Sequence, residues 1–362
     1  MIQTAYAFGF MFGSVGSGYL LDAVTHWHRL LVAGGLLIAL AEALLTAVST
    51  AGLLVANFAF FGLAMSFGVV SASSAAPSWV WGDECGPSVH AINAAFGVGM
   101  GFAPFLVSLD LSANDDFHSA FMLVVILSGL IALGPLFLDS PRKPPEPEEE
   151  EGDAKTELAF FARPGVTWAL FHLVFIFNIT SELVFGVWVT AYAEVSGLIP
   201  KDDAPMIAAT FYWSYTSFRL LTAVVSGYIS PTKLIFGFAY PVLCVGQVLI
   251  LLSAAEGASS ALLWTGAVVS GVGLSPIFGS IFAMFAQHNM APSGKTVGFM
   301  WFLTSVTDIG GQNVASALFS ADREDLWPLL TLCLFAGGCL TLAVTRFCAL
   351  PHHATPAERK QP

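Results

Sequence analysis

Between Arg29 and Asp83 the chain carries one charged side chain, Glu42, and no other feature limits its possible folds so sharply. Soluble domains carry roughly a quarter charged residues, so a segment this long without charge needs lipid rather than water as its solvent. The same bias runs through all 362 residues, of which 56% are hydrophobic and 10% charged. Inside a bilayer every backbone N–H and C=O must be satisfied locally. A helix does this with about 20 mostly apolar residues.

That length rule predicts an all-α, polytopic transmembrane bundle of eleven spans: 3–21, 30–50, 53–75, 89–109, 118–138, 165–193, 205–229, 233–253, 259–285, 296–319 and 327–349. Short polar links join them, with one exception. Residues 139–164 are rich in Pro and Glu and form a solvated linker. The expected organisation is a first half of five spans (1–138), the linker (139–164), a second half of six spans (165–350) and a tail (351–362). Two packed helical halves joined by a long link are the mark of a transporter.

Positive charge orients the spans. With the link after the first span cytoplasmic, that side holds Arg29, Arg142, Lys143, Lys155, Arg163, Lys233, Lys295, Arg346, Arg359 and Lys360. The opposite side holds Lys201 and Arg323, and Arg219 falls within a span. The expected location is an integral membrane position, in the plasma membrane or an internal one. Much of the formal net charge of −12 comes from the linker run Glu148 to Glu151, a solvated face rather than a docking surface. No basic stretch is long enough to grip nucleic acid. The five cysteines lack metal-ligand spacing, so neither a metal site nor a disulfide framework is expected.

Four groups of residues bear a family likeness. They are Asn178-Ile-Thr-Ser-Glu182 with Gly186, Trp188 and Tyr192; Phe211-Tyr-Trp-Ser214 with Phe218-Arg219; Asp83-Glu84 with Asn93, Gly97, Gly99 and Pro104; and Gly18-Tyr-Leu-Leu-Asp22. Together these resemble the fucose/glucose symporter branch of the major facilitator superfamily, including the sodium-dependent glucose transporter-like carriers. The sequence departs from that pattern at Ala23, Asn93 and Phe218. The resemblance covers the chain from the family's second helix onward and implies twelve spans. The eleven seen leave two readings, a first helix absent from this sequence or a naturally shortened variant.

Charged side chains at mid-span cost roughly 2.5–3.5 kcal/mol on insertion scales, and so face a cavity or a partner. By position these are Glu42, Glu182, Arg219 and Asp308. Asn178, Glu182 and Gly186 recur at steps of four and share a helical face; Glu182 there either lines a cavity or bonds a neighbouring helix. Trp301, Ser305, Asp308 and Gln312 form a second polar stripe, fit for a hydroxyl-rich solute or for interhelical bonding. Trp188 and Trp301 could stack on a sugar's C–H face, and Asn93 could polarise the cavity wall. The expected substrate-binding set is therefore Glu182, Asn178, Trp188, Asp308, Gln312, Trp301 and Asn93. The expected ion-coupling or gating set is Glu182, Asp308, Arg219 and Asp22.

No catalytic constellation is visible, because the polar groups lie on separate spans. The expected function is secondary active transport of a small polar solute by alternating access. The resemblance suggests a sugar as that solute and a proton or sodium as coupling ion, with no cofactor. Efflux of an organic anion or drug is the alternative within transport. A transporter-derived receptor or assembly protein is the alternative outside it.

Overall fold

The computed structural model describes residues 2–114, 118–137, 163–201, 203–255, 259–288, 290 and 292–350. Of the expected linker only residues 163 and 164 fall among them, and the tail 351–362 lies outside. The described residues form helices joined by short turns, with no strand among them. We number the long segments α1 (Ile2–Ala23), α2 (His28–Leu45), α3 (Ala51–Ala64, continuing through wider-wound Met65–Val70 into Ser71–Trp81), α4 (Gly86–Asn114) and α5 (His118–Leu133). After the linker come α6 (Pro164–Val195), α7 (Ala204–Val225), α8 (Pro231–Leu252), α9 (Ser260–Leu274, then Ile277–Gln287), α10 (Gly294–Ser320) and α11 (Trp327–Val344). Each coincides with one expected span. The largest difference is α3, which runs on past residue 75 to Trp81 because the Ser/Ala-rich stretch after Val70 stays helical around Pro77.

Local chemistry sets the helix starts. Proline occupies the first turn of α6, α7, α8 and α11, where its missing N–H leaves no bond unmade. Side-chain oxygens of Thr50, Ser259 and Ser293 accept from Leu53, Ala261 and Thr296 N–H at the starts of α3, α9 and α10. Such a cap contributes about 1 kcal/mol. α9 breaks at Ser275-Pro276, where proline removes a donor from the ladder.

Hydropathy sorts the helices by what surrounds them. α2, α3, α6, α8, α9 and α11 are long and apolar enough to cross a membrane on composition alone. α1, α7 and α10 are long enough but less apolar, and together with α4 they carry most of the contacts between the halves: α1 packs along α10 and α4 along α7. A helix facing protein or a wet cavity does not need a continuous lipid-compatible surface. Large apolar side chains such as Ile131, Val224 and Leu340 instead project outward, 74%, 66% and 68% exposed. The protein is an integral, multi-pass membrane protein.

Within the second half, Phe171 of α6 packs edge-on to Phe282 and Phe285 of α9, and Phe175 meets Phe282 at a 48° tilt. Trp327 of α11 stacks on Phe185 and Tyr192 of α6. Aromatic pairs of this kind contribute about 0.5–1.5 kcal/mol each. Buried polar bonds tie neighbours together: Gln247 donates to Ser270 across α8 and α9 at 3.0 Å, and Asn57 donates to the Ala41 carbonyl across α3 and α2 at 3.1 Å.

Successive helices alternate in direction. Arg29, Arg163, Lys233, Lys295 and Arg346 therefore share one end of the bundle, while Lys201 and Arg323 sit at the other. Arg346 donates to Thr232 Oγ1 at that basic end. Both seams between the halves close there.

Candidate functional site: an inter-half cavity

α1 reaches the first seam with its small residues. A methyl group at Gly18 would lie 2.5 Å from the Gly294 carbonyl oxygen of α10, so glycine is needed for the backbones to approach. Gly298 packs on the Ser14 carbonyl one turn further along. At the end of α1, Asp22 accepts from Gly294 N–H at 2.7 Å and Lys295 N–H at 2.9 Å. A carboxylate on the free amides of a helix start meets both donors and the positive end of the helix dipole. Asp22 thus stands at the seam, away from the cavity.

The second seam has a buried charge. Arg219 of α7, 3% exposed, donates from Nη1 to the Asn93 carbonyl of α4 at 3.1 Å. Its guanidinium lies 3.8 Å over the Tyr215 ring, and Nη2 is 4.0 Å from Glu182 Oε2 of α6. Nearby, His90 of α4 sits against Gly279 of α9, with Nε2 3.3 Å from Ser280 Oγ.

Past these two seams the halves separate around a cavity of about 360 Å³. The first half supplies Tyr6, Ala7, Phe10, Met65, Ile92, Asn93 and Phe96. The second supplies Ile179, Glu182, Leu183, Arg219, Phe278, Trp301, Thr304, Ser305 and Asp308. All three charged groups come from the second half. Phe10 meets Trp301 edge-on at 5.6 Å, so aromatic faces from both halves bound the space. The arrangement offers carboxylate acceptors, a guanidinium and ring faces to one small solute.

Of the residues expected to bind substrate, Glu182, Asp308, Trp301 and Asn93 line this cavity. The other three face elsewhere. Asn178 accepts from Tyr240 Oη of α8 at 3.0 Å, donates to the Val174 carbonyl and packs against Gly338 of α11. Gly186, at the other end of the expected shared face, packs on Tyr212 of α7. Four residues turn a helix by about 400°, not 360°, so a run of two such steps drifts out of one environment. Trp188 is packed on Phe319 at 4.8 Å and donates from Nε1 to Gln312 Oε1 at 2.6 Å. Gln312 in turn donates from Nε2 to Asp308 Oδ1 at 3.0 Å. Neither Trp188 nor Gln312 lines the cavity; they adjoin it through Asp308, which does. Glu42 lies on α2 toward Ser128 of α5, away from the site.

Tyr6, Phe10, Phe278 and Thr304 went unnoticed in the sequence. Tyr6 and Phe10 stand four residues apart on α1 with ring centroids 5.9 Å apart, a spacing equally compatible with lipid or protein contact.

The Major Facilitator Superfamily model matches residues 1–312. No curated protein sequence matches the chain. Among solved structures, the E. coli fucose:proton symporter aligns at a TM-score of 0.69 and 15% identity, covering 95% of this chain and 90% of that one. The human organic anion transporter aligns at 0.71 and 14%, covering 93% and 82%. A proton:xylose symporter bound to 6-bromo-6-deoxy-D-glucose aligns at 0.70 and 12%, covering 95% and 84%. Identities this low speak to fold alone, but the family match spans most of the sequence, and the chain belongs to the Major Facilitator Superfamily.

Proposed function

We propose that the protein is a secondary active transporter that moves a small polar solute of the sugar class by alternating access, coupled to a proton or sodium. The observation that carries this reading is the cavity between the halves, where Glu182, Asp308 and Arg219 are gathered beside Trp301. Sugar hydroxyls need acceptors and donors, and the C–H face of a pyranose suits an indole ring. Two of the similar folds are sugar:proton symporters, which supports this substrate class. The likeness of the 178–192 segment to the sodium-dependent glucose transporter-like carriers points the same way.

With the basic end cytoplasmic, the seams close the cytoplasmic side and the cavity belongs to an outward-open state. Alternating access then requires the α1–α10 and α4–α7 contacts to part while the opposite ends approach.

Arg219 on the cavity wall favours a second reading, an organic anion as solute. The Asn93 carbonyl, the Tyr215 ring and Glu182 already engage that guanidinium, so an anion would share it with a carboxylate, although its Nε has no hydrogen-bond partner among the described residues.

Radiolabelled hexose uptake into proteoliposomes under imposed sodium or proton gradients tests the proposal. Wild-type protein should accumulate hexose under one gradient, and Glu182→Gln should lower uptake. Equal uptake by both removes Glu182 from the mechanism. No hexose uptake by either, with anion uptake present, turns the reading to the organic-anion class; movement of neither leaves a non-transporting descendant of a carrier.

A further inference from the structure

Resting on that transport reading, we infer that Asp308 is the seat of the coupling cation, that Gln312 and Trp188 are positioning residues for it, and that Glu182 is not the coupling group. The two cavity carboxylates differ in what surrounds them. Glu182 has Arg219 at 4.0 Å. Asp308, 6% exposed, makes no ion pair among the described residues, and the hydrogen bond it accepts comes from Gln312. One acid has a cation beside it, and the other has none among the described residues.

The orientation of that donor is fixed from behind. An indole N–H only donates, so Trp188 Nε1 at 2.6 Å must face the oxygen of the Gln312 amide. The amide nitrogen is then the atom turned to Asp308 Oδ1, at 3.0 Å. That bond holds Oδ1 in place, and Asp308 also lines the cavity. Trp188 and Glu182 share α6, so the helix that carries the acid beside Arg219 also sets the other one.

Around Asp308, α1 contributes the Tyr6 hydroxyl, α6 contributes Glu182 and α7 contributes Arg219 and the Tyr212 hydroxyl, while the cavity residues of α3, α4 and α9 are uncharged; none of these groups forms an ion pair with Asp308. A proton needs one carboxylate oxygen. A sodium ion needs several oxygens, and the Ser305 and Thr304 hydroxyls, which donate to the Trp301 and Met300 carbonyls, keep lone pairs for it. A neutral sugar brings no charge of its own, so the cation is what lets this anion cross with the site.

Thermal unfolding of purified full-length protein in lipid nanodiscs, without sugar, reads the cation directly. One arm titrates sodium chloride against choline chloride at fixed pH; the other scans pH with sodium absent. Wild type should gain stability with sodium, or show a pH transition. Asp308→Asn should lose that response. Glu182→Gln, which lowers transport in the reading above, should retain it. If the coupling ion is a proton, Gln312→Leu should shift the transition, because the donor to the carboxylate is gone. Trp188→Phe should move it the same way but less, since the amide is then free to flip.

The assignment is overturned if the response survives Asp308→Asn, if Glu182→Gln removes it, or if wild type responds to neither cation. Should Asp308→Asn fail to fold, Gln312→Leu decides: an unchanged cation response overturns the assignment. An Asp308-dependent response in a protein that carries no hexose supports the assignment and sinks the sugar reading alone. Hexose counterflow with the cation response mapped elsewhere sinks the assignment alone.

Discussion

The two seams that join the halves are built on different principles. Along α1 and α10 the contact is backbone on backbone, with Ser14, Gly18, Gly294 and Gly298 giving the space, and charge enters only at the end, where Asp22 caps α10. Along α4 and α7, one guanidinium reaches across to a carbonyl and holds a carboxylate beside it. The first seam is governed by shape and should fail when bulk is added. The second is governed by a buried charge and should fail when charge is removed. A transporter must open both, so the contrast says which group sets the cost on each side.

Removing the charge should have the largest effect. Breaking a buried ion pair by deleting one partner costs up to about 3–5 kcal/mol. The 4.0 Å separation and the 18% exposure of the Glu182 side chain put Arg219→Ala toward the lower bound. Transport should be abolished and thermal stability lowered, while Arg219→Ala with Glu182→Gln should recover stability because no unpaired carboxylate is left. A double variant no more stable than the single one would show that the charge is not what governs this seam.

Adding bulk to the other seam should come next. Gly298→Leu places a side chain against the Ser14 carbonyl and Gly18. Overpacking of this kind costs about 1–3 kcal/mol, or about 5–150-fold in the ratio of closed to open seam. Reactivity of a cysteine introduced near Gly18 toward a membrane-impermeant thiol reagent, applied from the basic end, should rise in that range. Unchanged reactivity would mean that the seam yields to bulk and is not governed by shape.

Asp22→Asn should act at the same seam but more weakly. The amide oxygen can keep one of the two backbone bonds, while the charge on the helix start is lost, at about 1–2 kcal/mol, or roughly 5–30-fold in population. Reactivity at the introduced cysteine should rise again, with little change in unfolding temperature. If Asp22→Asn exceeds Gly298→Leu, the cap rather than the packing holds α1 to α10.

Hydrocarbon explains how much of this was legible in advance. Eleven spans could be placed because lipid tolerates few charges, and the same intolerance exposed Glu182, Arg219 and Asp308. Hydropathy tells which side chains avoid lipid, not which neighbour shelters them. Asn178 avoids lipid by bonding Tyr240, and Trp188 by bonding Gln312, so both looked like cavity residues. Tyr6 and Phe10 line the cavity, yet an apolar ring reads the same whether it meets lipid, protein or solute. The pairing of Trp188 with Gln312 joins residues on α6 and α10, and no spacing within either helix announces it.

The smallest effect tests the contrast where it is thinnest. α4 also meets α9 at the basic end through His90, 1% exposed, whose Nε2 is 3.3 Å from Ser280 Oγ. This bond is long and joins an imidazole nitrogen to a hydroxyl. Trimming such a bond costs about 0.5–1.5 kcal/mol. Ser280→Ala should therefore lower the unfolding temperature slightly and, because the contact is made only while the basic end is closed, change hexose uptake by no more than about tenfold, the factor that 1.4 kcal/mol represents. A contact that close to Arg219 with so small an effect would confirm that the guanidinium, and not polarity in general, holds α4 to the second half. If Ser280→Ala instead matches Arg219→Ala, the second seam is a cooperative polar network, and the distinction between a seam of shape and a seam of charge is lost.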